Sequence, residues 1–205
     1  MKLKLLSVGN NQKLDKNIPV FNLPQGKTCP GATALCRKIC YAAKAERMYP
    51  QAAAMRARNL IASKEPSFVA RMTEEIGYLI EHRSLKLLRL HESGDFYNQD
   101  YLDRWIEIAM EEPEVTFLAY TKSFHLNFNV VPANMRIYAS IDPTTKTTQA
   151  SLRMMTKFPT AVILEKGSIA PRKTLTCTKS HDHHYCGHDC FTCWIGKRNV
   201  FFPQH

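Results

Sequence analysis

Apolar and polar residues alternate along this chain with two periods, one typical of strands and one typical of helices. Short apolar runs predict strands, placed over residues 3–8, 85–91, 115–120, 135–141 and 160–165, with an extended segment over 18–23. Apolar residues at helical spacing predict helices, placed over residues 41–63, 66–83, 99–112 and 145–157. Pro50 divides the first of these helices, and Asn98 is suited to cap the third.

Strands that alternate with helices favour a parallel sheet in an α/β fold. Ligands of such sheets collect at the carboxyl ends of the strands. Polar residues follow three predicted strands at that end, and they are His91 to Asp95, Thr121 to Ser123, Ser140 and Asp142. We therefore expect them on one face of the molecule. The remaining carboxyl-terminal segment, residues 166–205, shows little patterning, and we expect it to be irregular.

The titratable residues at these strand ends have structural as well as functional explanations. His91, Glu92 and Asp95 together could perform acid–base chemistry. Alternatively, Asp95 caps the helix that starts near Asn98, and Glu92 faces water. Lys122 either holds an anion or a carboxylate, or it is a surface lysine.

Three cysteines lie in one short segment, Cys29–Tyr41, at the spacing C-x6-C-x3-C. Pro30 and Gly31 mark a loop, and a loop that turns three thiols inward can hold three corners of an iron–sulfur cluster. One iron would then stay open for a fourth protein ligand or for a substrate. The alternative is three reduced cysteines in the core. We favour a cluster bound by Cys29, Cys36 and Cys40, because the other four cysteines also form a group, and no cysteine lies between the two groups.

This second group has the spacing C-x8-C-x3-C-x2-C and consists of Cys177, Cys186, Cys190 and Cys193. Four thiolates can bind zinc or a [4Fe–4S] cluster, and the irregular spacing favours iron–sulfur over zinc. Histidines 181, 183, 184 and 188 either replace a ligand or belong to a solvated loop. Seven cysteines allow two clusters, or one cluster to which the second group lends a ligand.

Composition and charge indicate the cellular location of the protein and the kind of partner it could bind. No apolar run approaches the roughly 20 residues that span a bilayer, so we expect a cytoplasmic protein that does not enter membranes. Thiols stay reduced there, which favours metal sites over disulfides. The net charge of +10 suits nucleic acid or another acidic partner, such as a host protein, but it also suits a merely soluble surface.

The order of the motifs resembles a family of uncharacterised phage proteins, the mycobacteriophage gene product 88-like family. The resemblance rests on Cys-Pro-Gly-Ala-Thr from Cys29, His-Glu-Ser-Gly-Asp-Phe from His91, Tyr-Thr-Lys-Ser from Tyr120, and the final Cys-Trp pair. It covers most of the chain and implies a phage protein located in the host cytoplasm. The family carries no settled activity.

More distantly, the layout resembles the radical S-adenosylmethionine superfamily. That resemblance implies a partial (β/α) barrel over residues 1–170, with a cysteine-rich metal-binding appendix over 171–205 packed on it. It also implies S-adenosylmethionine bound at the open iron. The residues that would contact this cofactor are Tyr41, Ser93, Gly94, Asp95, Lys122, Ser140 and Asp142. The spacing departs from the superfamily's usual C-x3-C-x2-C, which occurs here only at Cys186, Cys190 and Cys193.

Two functions remain open from the sequence. The first is a phage iron–sulfur protein with a radical-enzyme-like barrel that cleaves S-adenosylmethionine reductively. The second is a non-enzymatic module, in which clusters or zinc are structural and the basic surface binds nucleic acid or a host protein. The sequence names no catalytic residue and no substrate.

Overall fold

The computed structural model describes residues 5–8, 13–164, 167–177 and 185–203. Its strands are β1 (Val20–Phe21), β2 (Leu87–Leu90), β3 (Thr116–Thr121), β4 (Met135–Ile141), β5 (Thr160–Ile163), β6 (Thr174–Thr176) and β7 (Asn199–Phe202). Its helices are α1 (Ala34–Lys38), α2 (Tyr41–Met48), α3 (Pro50–Ala62), α4 (Phe68–Arg83), α5 (Gln99–Glu111), α6 (Gln149–Lys157) and α7 (Thr192–Ile195). None of the described helices is long and apolar enough to cross a bilayer.

The strands form one parallel sheet in the order β1-β2-β3-β4-β5-β7-β6. Among the described residues no pairing joins the edge strands β1 and β6, so the sheet is open. Because β1 to β5 follow each other in chain order, each right-handed crossover moves in the same direction. The crossover helices α4, α5 and α6 therefore share one face of the sheet. The α/β fold with a parallel sheet is confirmed.

Each face of the sheet has its own apolar core. On the helix side, Leu88, Phe117 and Ile137 pack against α4 to α6, with Trp105 fully buried at the centre. On the opposite side, Leu118 and Tyr138 pack against residues 14–20 and against the cysteine-rich segment, including Trp194. The alternation within β3 and β4 explains this division, because successive side chains of a strand point to opposite faces.

The carboxyl-terminal segment, where the structure describes it, is more regular than its sequence indicates. Residues 199–202 form β7, which pairs with both β5 and β6, and Val200 and Phe201 are buried. The expectation of an irregular segment over 166–205 is therefore wrong for β6, α7 and β7. The apolar run from Val200 to Phe202 is too short to stand out as a pattern on its own.

Several element boundaries are confirmed, and a few shift. Pro50 begins α3, and the Asn98 side chain accepts a hydrogen bond from the Tyr101 amide at 2.9 Å. Helix α6 begins at Gln149 rather than at 145, because Thr148 and Ser151 form a capping box there. The strand expected over 3–8 lies partly outside the described residues, and residues 5–8 form only an isolated antiparallel bridge from Ser7 to Val20.

Candidate functional site

The three-cysteine loop, residues 29–40, lies across the carboxyl ends of β3 and β4. Gly31 packs on the residue that follows β3: a Cβ atom added to it would lie 1.9 Å from the carbonyl oxygen of Lys122. Thr33 donates a hydrogen bond at 2.6 Å to Asp142, the residue that follows β4. Only a residue without a side chain permits the first approach, so the Pro30–Gly31 turn is what allows the loop to rest on the sheet.

The three thiols of this loop are electrostatic neighbours. Burial raises the pKa of Cys29 to about 11; a hydrogen bond with the Gly26 backbone opposes the rise, and the charges of Asp95, Cys36 and Cys40 add to it. Burial also raises the pKa of Cys36, against the attraction of Lys122. The three thiols thus lie within electrostatic range of one another, although among the described residues they are not arranged to hold a metal ion.

A buried ion pair joins the ends of β3 and β4 beside the loop. Lys122 Nζ lies 2.7 Å from Asp142 Oδ2, and the two side chains are 9% and 3% exposed. The same ammonium donates to the Ser140 carbonyl at 3.0 Å. Burial opposes ionisation of Asp142, but hydrogen bonds from Lys122, Thr33 and Thr144 lower its pKa to about 2. Lys122 is therefore bound to a carboxylate, as one of the sequence alternatives expected, rather than exposed at the surface.

This ion pair extends to the cysteines through the cap of α1. Thr33 Oγ1 accepts a hydrogen bond from the Cys36 amide at 3.1 Å while it donates to Asp142. Cys36 is thereby linked through Thr33 and Asp142 to Lys122. The geometry gives Lys122 and Asp142 a positioning role toward Cys36, and their contact with a cofactor stays a prediction.

Asp95 holds the loop after β2 against the end of β3. Its Oδ1 accepts hydrogen bonds from Thr121 Oγ1 at 2.7 Å and from the Phe96 amide at 2.8 Å, and its Oδ2 accepts one from the Lys122 amide at 2.8 Å. Burial nevertheless raises the pKa of this carboxyl. The alternative that Asp95 caps the next helix is wrong, because Asn98 performs that role.

Ser93 and Gly94 pack directly against the segment that leads into the three-cysteine loop. The Ser93 hydroxyl donates to the Leu23 carbonyl at 2.8 Å. Gly94 has a φ of +86°, and a Cβ atom there would lie 2.6 Å from both Leu23 Cβ and Thr28 Oγ1. The Ser-Gly-Asp segment thus packs against the residues that precede the three-cysteine loop, and its binding of a cofactor stays a prediction.

His91 and Glu92 do not join Asp95 in an acid–base trio. The His91 ring packs between Phe21 and Phe96 in the helix-side core, and its Nε2 lies 2.8 Å from the Tyr101 hydroxyl. Burial lowers the pKa of His91 to about 3, so the ring is neutral at neutral pH. Glu92 is only partly exposed rather than fully solvated, and burial raises the pKa of its carboxyl.

Tyr41 directly follows the last cysteine of the loop. Its hydroxyl donates a hydrogen bond to the Glu92 carbonyl, yet the residue is 65% exposed. The ring is therefore fixed at its tip while most of its surface stays open. This placement suits the stacking role that the resemblance implies, which stays a prediction.

The second cysteine group lies on the opposite face of the sheet from α4 to α6. Burial raises the pKa of Cys193 to about 12, a hydrogen bond with Tyr120 opposes the rise, and the charges of Cys186, Cys177 and Cys190 add to it. The Trp194 indole opposes the effect of burial on the pKa of Cys186, although its Nε1 is buried without a hydrogen-bond partner among the described residues. Cys193 and Cys186 thus each lie within electrostatic range of Cys177 and Cys190.

The donor chemistry of both groups fits a thiophilic metal. All seven cysteines are free, and each of the thiols with a shifted pKa interacts with thiols of its own group. Within residues 5–8, 13–164, 167–177 and 185–203, no three His, Cys, Asp or Glu side chains are placed so that they could hold a metal ion. Histidines 181, 183 and 184 lie outside the described residues, whereas the exposed His188 ring lies 2.8 Å from Asp189.

Comparison with known proteins identifies the family. A protein-family model described as Gene product 88 matches residues 3–193. The chain belongs to the gene product 88 family. It is 26% identical over 204 residues to the Gene 88 protein of Mycobacterium phage L5, a match that covers 87% of this chain and 82% of that protein. It is 28% identical over 130 residues to the Gene 88 protein of Mycobacterium phage D29, covering 58% of this chain and 54% of that protein.

The predicted resemblance to this phage family is therefore confirmed. No solved structure matches the chain. The more distant resemblance to radical S-adenosylmethionine enzymes is not supported by these comparisons.

Sequence reasoning missed a group of large side chains that this member of the gene product 88 family places around its second cysteine group. Arg89 lies on that face of β2, with its guanidinium carbon 4.3 Å from the centre of the Tyr120 ring. The same guanidinium favours the thiolate form of Cys186, and it donates to the Leu118 carbonyl at 2.9 Å. Arginine in the middle of the strand Leu-Leu-Arg-Leu was the available signal, because a charge there needs a buried partner.

Proposed function

We propose that this protein is an iron–sulfur protein in which Cys29, Cys36 and Cys40 hold a [4Fe–4S] cluster. The proposal is supported by three thiols that share one loop and act on one another's ionisation, and by the contacts of Gly31 and Asp142 that hold this loop at the strand ends. Three thiolates leave one iron open. S-adenosylmethionine is the small molecule that we propose for this position.

A cluster with an open iron supplies one electron to a ligand bound there. The chain's own residues would prepare the site for that ligand. Lys122 and Asp142 keep Cys36 in place through Thr33. Tyr41 offers an exposed ring beside Cys40, and the Ser93–Asp95 segment borders the loop. Preorganised ligands of this kind reduce the entropy lost on binding.

We propose that the second group, Cys177, Cys186, Cys190 and Cys193, holds a second [4Fe–4S] cluster, with zinc as the alternative metal. Four thiolates complete the ligand set, so no open position is expected there. The Tyr120 hydroxyl and the Trp194 indole suit either metal, because both favour the thiolate forms of Cys193 and Cys186, and donors beside a metal site stabilise its thiolates.

Metal analysis after anaerobic purification tests this proposal. We expect about eight irons and eight sulfides per wild-type chain, and about half of each in Cys36→Ser and in Cys190→Ser. If each substitution removes all of the iron, the two groups share one cluster, and the proposal of an open iron position is wrong. A colourless protein with stoichiometric zinc would refute the iron–sulfur assignment.

Ligand binding requires a separate experiment. S-adenosylmethionine should perturb the paramagnetic spectrum of the reduced cluster in wild type, and deoxyadenosine should accumulate with a strong reductant. Cys190→Ser is the matched control, because it leaves the open iron of the first group intact. An unchanged spectrum together with no binding by calorimetry would favour the non-enzymatic module instead.

That module is the second candidate function, favoured by the net charge of +10. In this case the metal groups stabilise the fold and the basic surface contacts an acidic partner in the host cytoplasm, either nucleic acid or a host protein.

A further inference from the structure

The excess of positive over negative charge in this protein comes from one part of the chain. Residues 1–64 contain 12 of the 28 lysines and arginines but only 2 of the 18 acidic residues, whereas residues 65–205 contain 16 of each. The whole net charge of +10 therefore comes from the amino-terminal part, residues 1–64. This is the part of the chain that forms the three-cysteine loop and helices α1 to α3.

Helices α1 and α2 expose these charges together with aromatic rings. We define the α1–α2 surface by its exposed side chains, which are Arg37, Lys38, Tyr41, Lys44, Arg47 and Tyr49. Tyr41 and Tyr49 are 65% and 59% exposed. Two large aromatic rings that are exposed so close together in the chain indicate a surface that binds a ligand or another macromolecule.

The charges of this surface are uncompensated. Glu46 is the one acidic residue between positions 16 and 64 of the sequence, and it is bound to Arg56 of α3 at 3.0 Å and to the Gln25 amide at 3.0 Å. In the described part of the chain, the ion pairs involve none of the four basic residues of the α1–α2 surface. Among the described residues, an anionic polymer would therefore meet four cations that form no ion pair within the protein.

We infer that the α1–α2 surface binds single-stranded nucleic acid. Phosphates would contact the four cations, and unpaired bases would stack on Tyr41 and Tyr49. Stacking between bases and aromatic rings beside a basic track is how proteins bind single strands without reading their sequence. A duplex keeps its bases stacked inside, so it cannot use the two rings. The segment from Arg37 to Tyr49 extends about 20 Å at most if helical, which suits a site of about four nucleotides.

The surface also sets where such a strand would lie relative to the cysteines. Tyr41 follows Cys40 directly, and its hydroxyl is anchored to the carbonyl of Glu92 at the end of β2. A base stacked on Tyr41 would therefore lie next to the three-cysteine loop. The inference does not depend on which metal that loop binds, so it can fail or succeed separately from the proposed function.

Fluorescence anisotropy with the full chain tests the inference. The probes are a labelled oligothymidine of about 12 nucleotides, long enough for one such site, and a duplex of the same length, measured at several salt concentrations. We expect the single strand to bind more tightly. Lys44→Gln/Arg47→Gln should reduce the slope of log affinity against log salt by about 1.4, since each contact with a single-stranded phosphate contributes about 0.7.

The rings are tested separately from the charges. Tyr49→Ser should weaken binding by about 5- to 150-fold with an unchanged salt slope, which corresponds to the loss of one stacked base, and Tyr49→Phe should retain binding. The charge control is Arg83→Gln/Lys197→Gln, which also removes one exposed lysine and one exposed arginine but lies at the amino ends of β2 and β7. Circular dichroism should be native for all variants.

Three results would overturn the inference. The first is equal weakening by the charge control, which would show attraction to net charge alone. The second is a duplex or polyglutamate that binds as tightly as the oligothymidine. The third is a Tyr49→Ser variant that binds like wild type.

Discussion

Gly31→Ala is the change that most directly tests how the three-cysteine loop is held. The new Cβ would lie 1.9 Å from the carbonyl oxygen of Lys122 and 2.5 Å from its carbonyl carbon. Ordinary contacts of a Cβ atom begin near 3.4 Å. Both obstructing atoms belong to the backbone at the end of β3, so they cannot rotate away. The loop must therefore retreat from the sheet by roughly the missing distance, about 1 Å or more.

This retreat would break the contacts that order the loop. The hydrogen bond from Thr33 to the charged Asp142 is 2.6 Å long, and bonds to charged groups contribute about 1.5–3 kcal/mol. Overpacking adds about 1–3 kcal/mol. We expect the free energy that protects the loop from opening to fall by about 3 kcal/mol or more, which is a rise of more than a hundredfold in amide exchange where opening controls exchange.

Hydrogen exchange by mass spectrometry measures this effect, with bound iron as a second readout. Peptides over residues 29–40 should lose protection in Gly31→Ala, whereas β3 and α5 keep theirs. Gly26→Ala is the matched control: Gly26 has a φ of +73° but nothing within 4 Å of an added Cβ, so it suffers backbone strain without a clash. If both variants exchange alike in this loop, the reasoning from close packing is wrong.

Three further predictions concern the ion pair between Lys122 and Asp142 and the second cysteine group. Lys122→Met should lower the free energy of unfolding, measured in urea, by about 3 kcal/mol, because it leaves a buried carboxylate uncompensated. The double variant Lys122→Met/Asp142→Leu should lose less free energy of unfolding than the sum of the losses in the two single variants. The pKa of Asp142 is lower in the folded than in the unfolded protein, so its ionisation contributes about 2.5 kcal/mol of stability above pH 5, and this contribution disappears as the pH falls toward 2. The unfolding free energies of wild type and Asp142→Asn should therefore converge over that pH range. A difference between them that stays constant would contradict the pKa shift. Cys190→Ser should make residues 185–198 susceptible to limited proteolysis, while β7 stays paired with β5 and uncleaved. Cleavage within β7 would contradict the view that backbone pairing with β5 holds that strand.

The sequence was most informative where local chemistry decides structure. Helix α5 is bounded as predicted because Asn98 caps it and its apolar positions repeat at helical spacing. Strand β4 was predicted at its observed boundaries, since its apolar residues lie between Pro132 and Asp142. The three-cysteine segment was predicted to begin in a loop because Pro30 and Gly31 interrupt the patterning there.

The sequence was least informative where partners are distant in the chain. Strand β7 is short, and it is a strand because β5 and β6 lie on either side of it. The role of Lys122 could not be read locally, because its carboxylate partner, Asp142, follows the next strand along the chain. Arg89 was overlooked for the same reason: Tyr120 and Cys186 become its neighbours only through the fold.

The position of β7 between β5 and β6 dictates an order of assembly. Strand β6 comes earlier in the chain, yet its partner in the sheet is β7, so it cannot dock until β7 has been placed against β5. The connection between β6 and β7, which carries Cys186, Cys190 and Cys193, must therefore fold back on itself before the sheet is complete. Such a non-local closure is a slow step in folding. Convergence of the second cysteine group and completion of the sheet edge are thus tied to the same late event.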